Sequence, residues 1–478
     1  MPDPTTDALG NWREEEALAE AMIPILGRLY RDNDVIFYIY GRKLQRSAIE
    51  IIKAHRFGRQ VADGEVKLKD TFPVLEAAAA MSLDSAKVNL GKLTNGWLAN
   101  DDGRTLDEYV ADELSSVTTG HGRLLDEPTD VVLFGFGRIG RLLARILIAR
   151  TGSGEKLRLR AIVLRPGKED DTAKRASLLR RDSIHGPFNG SVIADPDNHQ
   201  IIANGNPIQL IYAKNPEDVD YTAYGIDNAI LIDNTGMSRD EEGLSRHLRA
   251  KGIGRVLLTA PGKGDLKNII YGVNHAMVEE TDRIISAASC TTNAIVPTLK
   301  VMNDTFGIAS GHLETVHAFT NDQNLTDNFH NKPRRGRAAP INMVITETGA
   351  ANAVGKALPE LNGKLTGSAI RVPIPNVSLV ILNLNLERPT STQEINETLR
   401  VASLTADLGD QIDYTASTEL VSSDLVGTER AGVIDSQATI ADGNRCVLYV
   451  WYDNEAGYSY QVIRIVQHLA GLDYPRVP

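Results

Sequence analysis

One stretch limits what this chain can become more than any other. Residues 131–134, Val-Val-Leu-Phe, are an unbroken apolar run of strand length. Gly135-Phe136-Gly137-Arg138-Ile139-Gly140 follows at once and leads into a helical segment over 141–151. In that context the glycines divide the work: Gly135 permits the tight turn, Gly137 lets backbone approach a pyrophosphate, and Gly140 lets the helix pack closely. The helix N-terminus then faces the phosphates. The pattern predicts an open α/β sheet that binds a dinucleotide at the carboxyl ends of its strands; a plain tight turn is the alternative.

The chain continues in the same grammar. Strands are expected at 157–164, 208–212, 229–233 and 255–259, and the short loops Asn234-Thr235-Gly236 and Ala260-Pro261-Gly262 are candidates for the cofactor wall or simple turns. A strictly NAD-binding second strand ends in a carboxylate that accepts from the adenosine ribose hydroxyls. Here the chain reads Leu164-Arg165-Pro166-Gly167. A guanidinium can pair with a 2′-phosphate, and losing the carboxylate removes a repulsion, so Arg165 favours NADP, or use of both NAD and NADP; the alternative is an arginine that points into solvent.

At 478 residues the chain has room for two or three domains, and 42% hydrophobic with 24% charged residues is ordinary globular composition. With 51 basic and 62 acidic residues the net charge is −11, which argues against a general nucleic-acid or membrane-surface binder. Two cysteines make no disulfide framework, residues 1–11 are polar and acidic rather than signal-like, and no apolar run approaches a membrane span. A cytoplasmic location is expected. No His/Cys/Asp/Glu set has metal-ligand spacing, which disfavours metal-dependent hydrolysis.

Residues 1–127 read as a separate all-α domain. Apolar residues recur at helical spacing over 14–30 and 35–55, 75–81 is alanine-rich, and Ser82 or Asp84 is placed to cap a helix running to Trp97, with another over 106–114. Nothing in it marks chemistry. Residues 115–129 read as a linker.

Chemistry concentrates at Ser286 to Ala294, Ser-Ala-Ala-Ser-Cys-Thr-Thr-Asn-Ala. A strand-like 283–288 and a helical 293–302 put Cys290 at a strand-to-helix turn, where the helix N-terminus and a nearby histidine lower a thiol's pKa. The alternative is a buried structural cysteine. The next strand, 311–320, carries His317 on the same face as Thr315; a lone strand histidine is more often a hydrogen-bonded structural residue, but with a candidate thiolate nearby in sequence Cys/His pairing is the better reading. A loop rich in Asn, Lys and Arg runs from there to Arg337. Cys446, inside the expected strand 445–452, lacks polar neighbours and reads as buried and inert.

Together these motifs resemble a phosphorylating glyceraldehyde-3-phosphate dehydrogenase. The resemblance runs from Val131 to Tyr460 on Gly135–Arg141 (GFGRIGR), Arg181–Gly186 (RDSIHG), Ser289–Asn293 (SCTTN), Thr315–Ala318 (TVHA), Thr348–Ala351 (TGAA), Leu358–Gly367 (LPELNGKLTG), Arg371–Pro373 (RVP) and Trp451–Ser459 (WYDNEAGYS). It implies a Rossmann-type domain over 128–289, joined by a C-terminal helix over 455–478, and an α+β catalytic domain over 290–454 with a mostly antiparallel sheet.

It further implies that Cys290 is the nucleophile and His317 the base. Thr320, Asp322 and Arg371 match the substrate-phosphate site, Ser289, Thr291, Thr348 and Gly349 the attacking-phosphate site, and Arg335 lies between. Asn454 matches the amide that orients the nicotinamide, with Tyr458 beside it. Arg138 and Ile139 match pyrophosphate and nicotinamide-pocket positions, and Lys214, Thr235, Gly236 and Thr259 complete the cofactor set. The implied reaction is oxidation of D-glyceraldehyde 3-phosphate with inorganic phosphate to 1,3-bisphosphoglycerate, or its reverse, by a homotetramer. Erythrose 4-phosphate is the rival substrate, and a regulatory protein acting through residues 1–127 the rival class. Besides Arg165, the chain departs from the family at Asn328-Phe329, where NAD-preferring bacterial relatives tend to carry Leu-Pro, and in its added first domain.

Overall fold

The computed structural model describes residues 4–58, 66–150, 156–167, 170–404 and 408–478. The chain forms two compact units, Met1–Glu127 with Gly471–Pro478, and Pro128–Ala470.

The first unit corrects the all-α expectation. Helices Pro4–Asn33, Ala48–Gly58, Leu68–Ala79, Leu90–Leu98 and Leu106–Glu113 are joined by a four-stranded sheet, ordered Arg42–Lys43, Ile36–Ile39, Lys87–Asn89, Arg476–Val477. Ile36-Phe37-Tyr38-Ile39 alternates, with Phe37 and Ile39 buried. The chain then reverses through Tyr40 (φ 43) and Gly41 (φ 86), pairing Ile39 with Arg42. Two successive positive φ angles are the hairpin geometry usually signalled by Asn-Gly. Tyr40-Gly41 carries a weaker signal, so the segment 35–55 reads as a helix until the turn is seen. The helix near residue 90 starts on Asn89, whose side chain accepts from Lys92 N, rather than on Ser82 or Asp84. The last strand also corrects the expected helix over 455–478: the helix is Ala456–Leu469, and Arg476–Val477 pairs in parallel with Lys87–Asn89.

In the second unit an eight-stranded sheet runs Ile284–Ser286, Ile253–Leu258, Ala229–Asp233, Thr129–Phe134, Leu157–Leu164, Asn206–Tyr212, Gln200–Ala203, Val192–Asp195. The first six are parallel and the last two antiparallel. Thr129–Phe134 sits where the strand order reverses, which places the glycine turn in the crevice used by ligands of open α/β sheets. A second sheet runs Val344–Thr346, Leu365–Val372, Ile308–Ala318, Ser378–Leu386, Arg445–Tyr452, Gly432–Asp435, Ile412–Thr415 and is mostly antiparallel. Helix Cys290–Phe306 packs its buried face, including Ile295, Leu299 and Met302, with Leu313, Val380 and Leu448 of that sheet. Burial of such side chains stabilises the fold by about 1.5–3 kcal/mol each, and it fixes where the first residue of the helix stands.

Candidate functional site

Cys290 is that first residue. Ser289 caps the helix, its hydroxyl accepting from Thr292 N at 3.1 Å, and the Cys290 thiol stands at the end where helix N–H groups lack partners. The approach is strained: Ala288 has φ 54, and its carbonyl accepts from the Tyr458 hydroxyl at 3.0 Å. Cys290 Sγ lies 3.6 Å from His317 Nε2. His317 and Arg371 are paired residues on neighbouring parallel strands, so their side chains leave the sheet on one face.

His317 Nδ1 lies 2.6 Å from Ala318 O and 2.9 Å from Arg371 Nη1. It can donate to the first or accept from the second. Donation to Ala318 O leaves the Nε2 lone pair facing the thiol, the tautomer of a base. Burial, and then the Arg371 charge, hold the imidazolium well below its ordinary range. Burial also pushes the Cys290 thiol up, against the Arg371 charge and hydrogen bonds from Thr291 that pull it down. The expectation of a depressed thiol pKa is therefore corrected: taken singly, each group prefers its neutral form because the site is dry. Proton transfer from Sγ to Nε2 would charge both groups at once, each charge then compensating the other.

Arg371 is half-buried, forms no ion pair among the described residues, and has a buried Nε without a partner. Burial and then Arg335 make its charge costly. A guanidinium in that position invites an anion. Arg335 is instead engaged, with Asp322 by an ion pair and with Thr346 Oγ1 at 3.2 Å. Thr320, half-buried, begins the loop that carries Asp322, and Thr348 and Gly349 lead into helix Ala350–Ala357, with Thr348 Oγ1 accepting from Ala350 N. The hydroxyl of Thr291 does not face solvent: it bonds Tyr452 Oη at 2.9 Å, and Tyr452 Oη also bonds Thr315 Oγ1 at 2.8 Å. Tyr452 thus ties the residue after Cys290 to the strand that carries His317. Sequence reasoning gave it no role, although it lies inside the Trp451–Ser459 motif.

The glycine turn suits a dinucleotide. Gly135 has φ 102, a Cβ on Gly140 would meet Gly135 O at 2.6 Å, and Gly137 faces open space where backbone can meet a pyrophosphate. Arg138 and half-buried Ile139 begin the helix. The Arg138 guanidinium is bound by Asp182 and Glu455, so only its backbone N–H remains for phosphate. Burial pushes the Asp182 carboxyl up, but backbone hydrogen bonds and Arg138 prevail and hold it at about 2. His185 Nε2 joins at 3.0 Å from Glu455. This network, whose His185 and Asp182 lie in the Arg181–Gly186 motif, was also not assigned from sequence.

Asn454, the residue before Glu455, accepts through Oδ1 from Ser378 Oγ at 2.9 Å. Thr235 is held by Asp233, and the Thr259 hydroxyl donates to Asp233 O at 3.1 Å. Gly236 is half-buried and Lys214 is exposed. Arg165 lies at the end of its strand with Nη2 2.6 Å from Met237 Sδ and no carboxylate partner among the described residues. No group of three or more metal-ligating side chains occurs among the described residues, and no described helix is long and apolar enough to cross a membrane. Cys446 is buried in its strand, and burial pushes its thiol up to about 11.

Two family models match the chain: "Glyceraldehyde 3-phosphate dehydrogenase, NAD binding domain" over residues 129–241, and the C-terminal domain of the same family over 289–454. A "Glyceraldehyde-3-phosphate dehydrogenase-like protein" of Pseudomonas aeruginosa (strain UCBPP-PA14) is 58% identical over 460 residues, covering 96% of this chain and 100% of that protein. An alignment of that length includes most of the first unit. Shorter relatives match as well. "Glyceraldehyde-3-phosphate dehydrogenase 2" of Trichormus variabilis is 41% identical over 342 residues, 71% of this chain and 98% of its own. The "Glyceraldehyde-3-phosphate dehydrogenase" of Pseudomonas aeruginosa PAO1 is 40% identical over 330 residues, 69% of this chain and 94% of its own.

Proposed function

The chain belongs to the glyceraldehyde-3-phosphate dehydrogenase family, and from that premise we propose that it oxidises D-glyceraldehyde 3-phosphate with inorganic phosphate to 1,3-bisphosphoglycerate, reversibly. The observation that carries this is a thiol at a helix N-terminus, 3.6 Å from an imidazole and beside a guanidinium that forms no ion pair among the described residues. In this reading His317 Nε2 takes the Cys290 proton, Sγ attacks the aldehyde carbon, and His317 returns that proton to the developing alkoxide, giving a hemithioacetal. His317 then takes the hydroxyl proton as the carbon loses hydride, leaving a thioester on Cys290. When bound, the oxidised nicotinamide of NAD or NADP supplies the hydride acceptor. Phosphate oxygen attacks the thioester carbon, the C–S bond breaks, and the thiolate is restored. The Cys290 backbone N–H and protonated His317 are placed to steady the oxyanion of both tetrahedral stages.

Arg371 holds the substrate phosphate with Thr320, while Asp322 orients Arg335 between the two anion sites. Ser289, Thr348, Gly349 and the backbone at Thr291 serve the attacking phosphate, since the Thr291 hydroxyl is already bonded. Arg165 and exposed Lys214 favour NADP, or both cofactors, at the adenosine ribose; Gly135, Gly137, Gly140, Arg138, Ile139, Thr235, Gly236, Thr259, Asn454 and Tyr458 make up the rest of the cofactor site. We read the protein as a cytoplasmic homo-oligomer, a tetramer in keeping with the family. One segment supports this by exposing Leu325, Phe329, Ile341, Met343 and Ile345, with Phe329 86% accessible. The test is a steady-state assay of the purified chain with NAD or NADP, with and without phosphate. Phosphate-dependent cofactor reduction is expected; no reduction with either cofactor rejects the reading, and a higher kcat/KM for erythrose 4-phosphate reassigns the substrate.

A further inference from the structure

Behind the Cys290/His317 pair lies a buried hydroxyl that the proposed reaction does not use. Ser378 is 1% exposed and begins the strand Ser378–Leu386, where it pairs with Tyr452. Its Oγ accepts from Ala318 N at 3.1 Å and donates to Asn454 Oδ1 at 2.9 Å. Ala318 is the residue after His317, and its carbonyl accepts from Arg371 Nη1 at 3.0 Å and faces His317 Nδ1. One hydroxyl therefore joins the end of the base's strand to the amide at the nicotinamide position.

The chain reaches this arrangement at a cost. Val377 is fully buried with φ 65, a left-handed conformation that a β-branched residue adopts only when its surroundings force it. The backbone of Asn454 is fixed independently. Asp453 Oδ1 accepts from Glu455 N and Ala456 N, and its Oδ2 accepts from Gly427 N at 2.7 Å. With the backbone held, the remaining freedom of Asn454 is rotation of its amide, which exchanges donor for acceptor. Ser378 restrains that freedom by donating to Oδ1, the orientation in which its own proton has an acceptor. Asn454 Nδ2 has no partner among the described residues.

We propose that Ser378 is a positioning residue that locks the Asn454 amide with Nδ2 presented to the nicotinamide carboxamide, in register with the strand of His317. This rests on the reading given under Proposed function, and its test can fail separately from that reading.

Titration of the full-length protein with NAD and with ADP-ribose, which lacks nicotinamide, separates the two. Ser378→Ala should weaken NAD about fivefold to tenfold, the scale of one buried hydrogen bond, while ADP-ribose changes less than about twofold. In an Asn454→Ala background Ser378→Ala should cost no further NAD affinity. Asn454→Asp keeps the acceptor for Ser378 and removes the donor, so it should lose NAD and keep ADP-ribose even where Ser378→Ala proves unstable. Equal weakening of both ligands, no weakening of either, a further loss in the Asn454→Ala background, or wild-type NAD affinity in Asn454→Asp overturns the inference. A wild-type chain that binds neither NAD nor NADP overturns the functional reading instead.

Discussion

His55 and His317 are both buried histidines with lowered pKa, and the difference between them shows that burial alone does not make a site. His55, in the first unit, is 1% exposed; Nδ1 meets Ile51 O at 2.8 Å and Nε2 meets Thr71 Oγ1 at 2.8 Å. Both nitrogens are satisfied by its own domain, and burial holds its pKa at about 4. His317 is equally dry, but one nitrogen faces a thiol and the other an arginine. What separates a core histidine from a candidate base is a partner able to lose a proton.

The sharpest way to break that contrast is to remove the partner. Cys290→Ser should lower turnover by several orders of magnitude while cofactor titration stays near wild type, since a hydroxyl is a far weaker nucleophile. Next, His317→Asn should lower kcat/KM about 10²–10⁴-fold. It should also shift the pH dependence of Cys290 alkylation by iodoacetamide upward, because the proton acceptor is gone. An unshifted profile would leave His317 no closer to chemistry than His55.

His55 sharpens the comparison from the other side, because it affects stability and leaves turnover alone. Its folded pKa lies below the unfolded 6.5, so between about 6.5 and 4 the unfolded chain binds more protons and stability falls as pH falls. The loss reaches at most about 3 kcal/mol at the acid end. Urea unfolding followed across that window should show it, and His55→Gln should make it shallower, leaving the share due to His317; an unchanged slope would remove His55 as a cause. The smallest effect concerns neither histidine. Arg165→Asp should lower kcat/KM for NADP about tenfold or more while sparing NAD, the scale of one charge-assisted contact to phosphate. Equal responses would put Arg165 in solvent.

What could be read from the residues alone follows the same division. The strand at Thr129–Phe134, the glycine turn and helix Arg138–Arg150 were legible because a continuous apolar run and its glycines fall within a few residues of one another. Cys290 and His317 could be singled out, with their pairing as a hypothesis, by the polar run around the thiol. The thiol's electrostatics were not legible, since they depend on how the folded chain buries it and where it sets Arg371. The sheet of the first unit escaped because its strands are four residues or fewer, its hairpin turns on Tyr40-Gly41, and one strand comes from residues 476–477. Ser378 and Tyr452 escaped for a related reason: a hydroxyl becomes informative only when its partners, 60 to 161 positions away, are known.

The edge strand at 476–477 orders events during biosynthesis. The sheet begun at residue 36 stays one strand short until residue 477 has emerged from the ribosome, so a unit translated ahead of residues 128–470 is completed after them. Excising that part cleanly for engineering takes two cuts, one before Pro128 and one after Ala470; a single cut at 128 strands an eight-residue remnant without its partner.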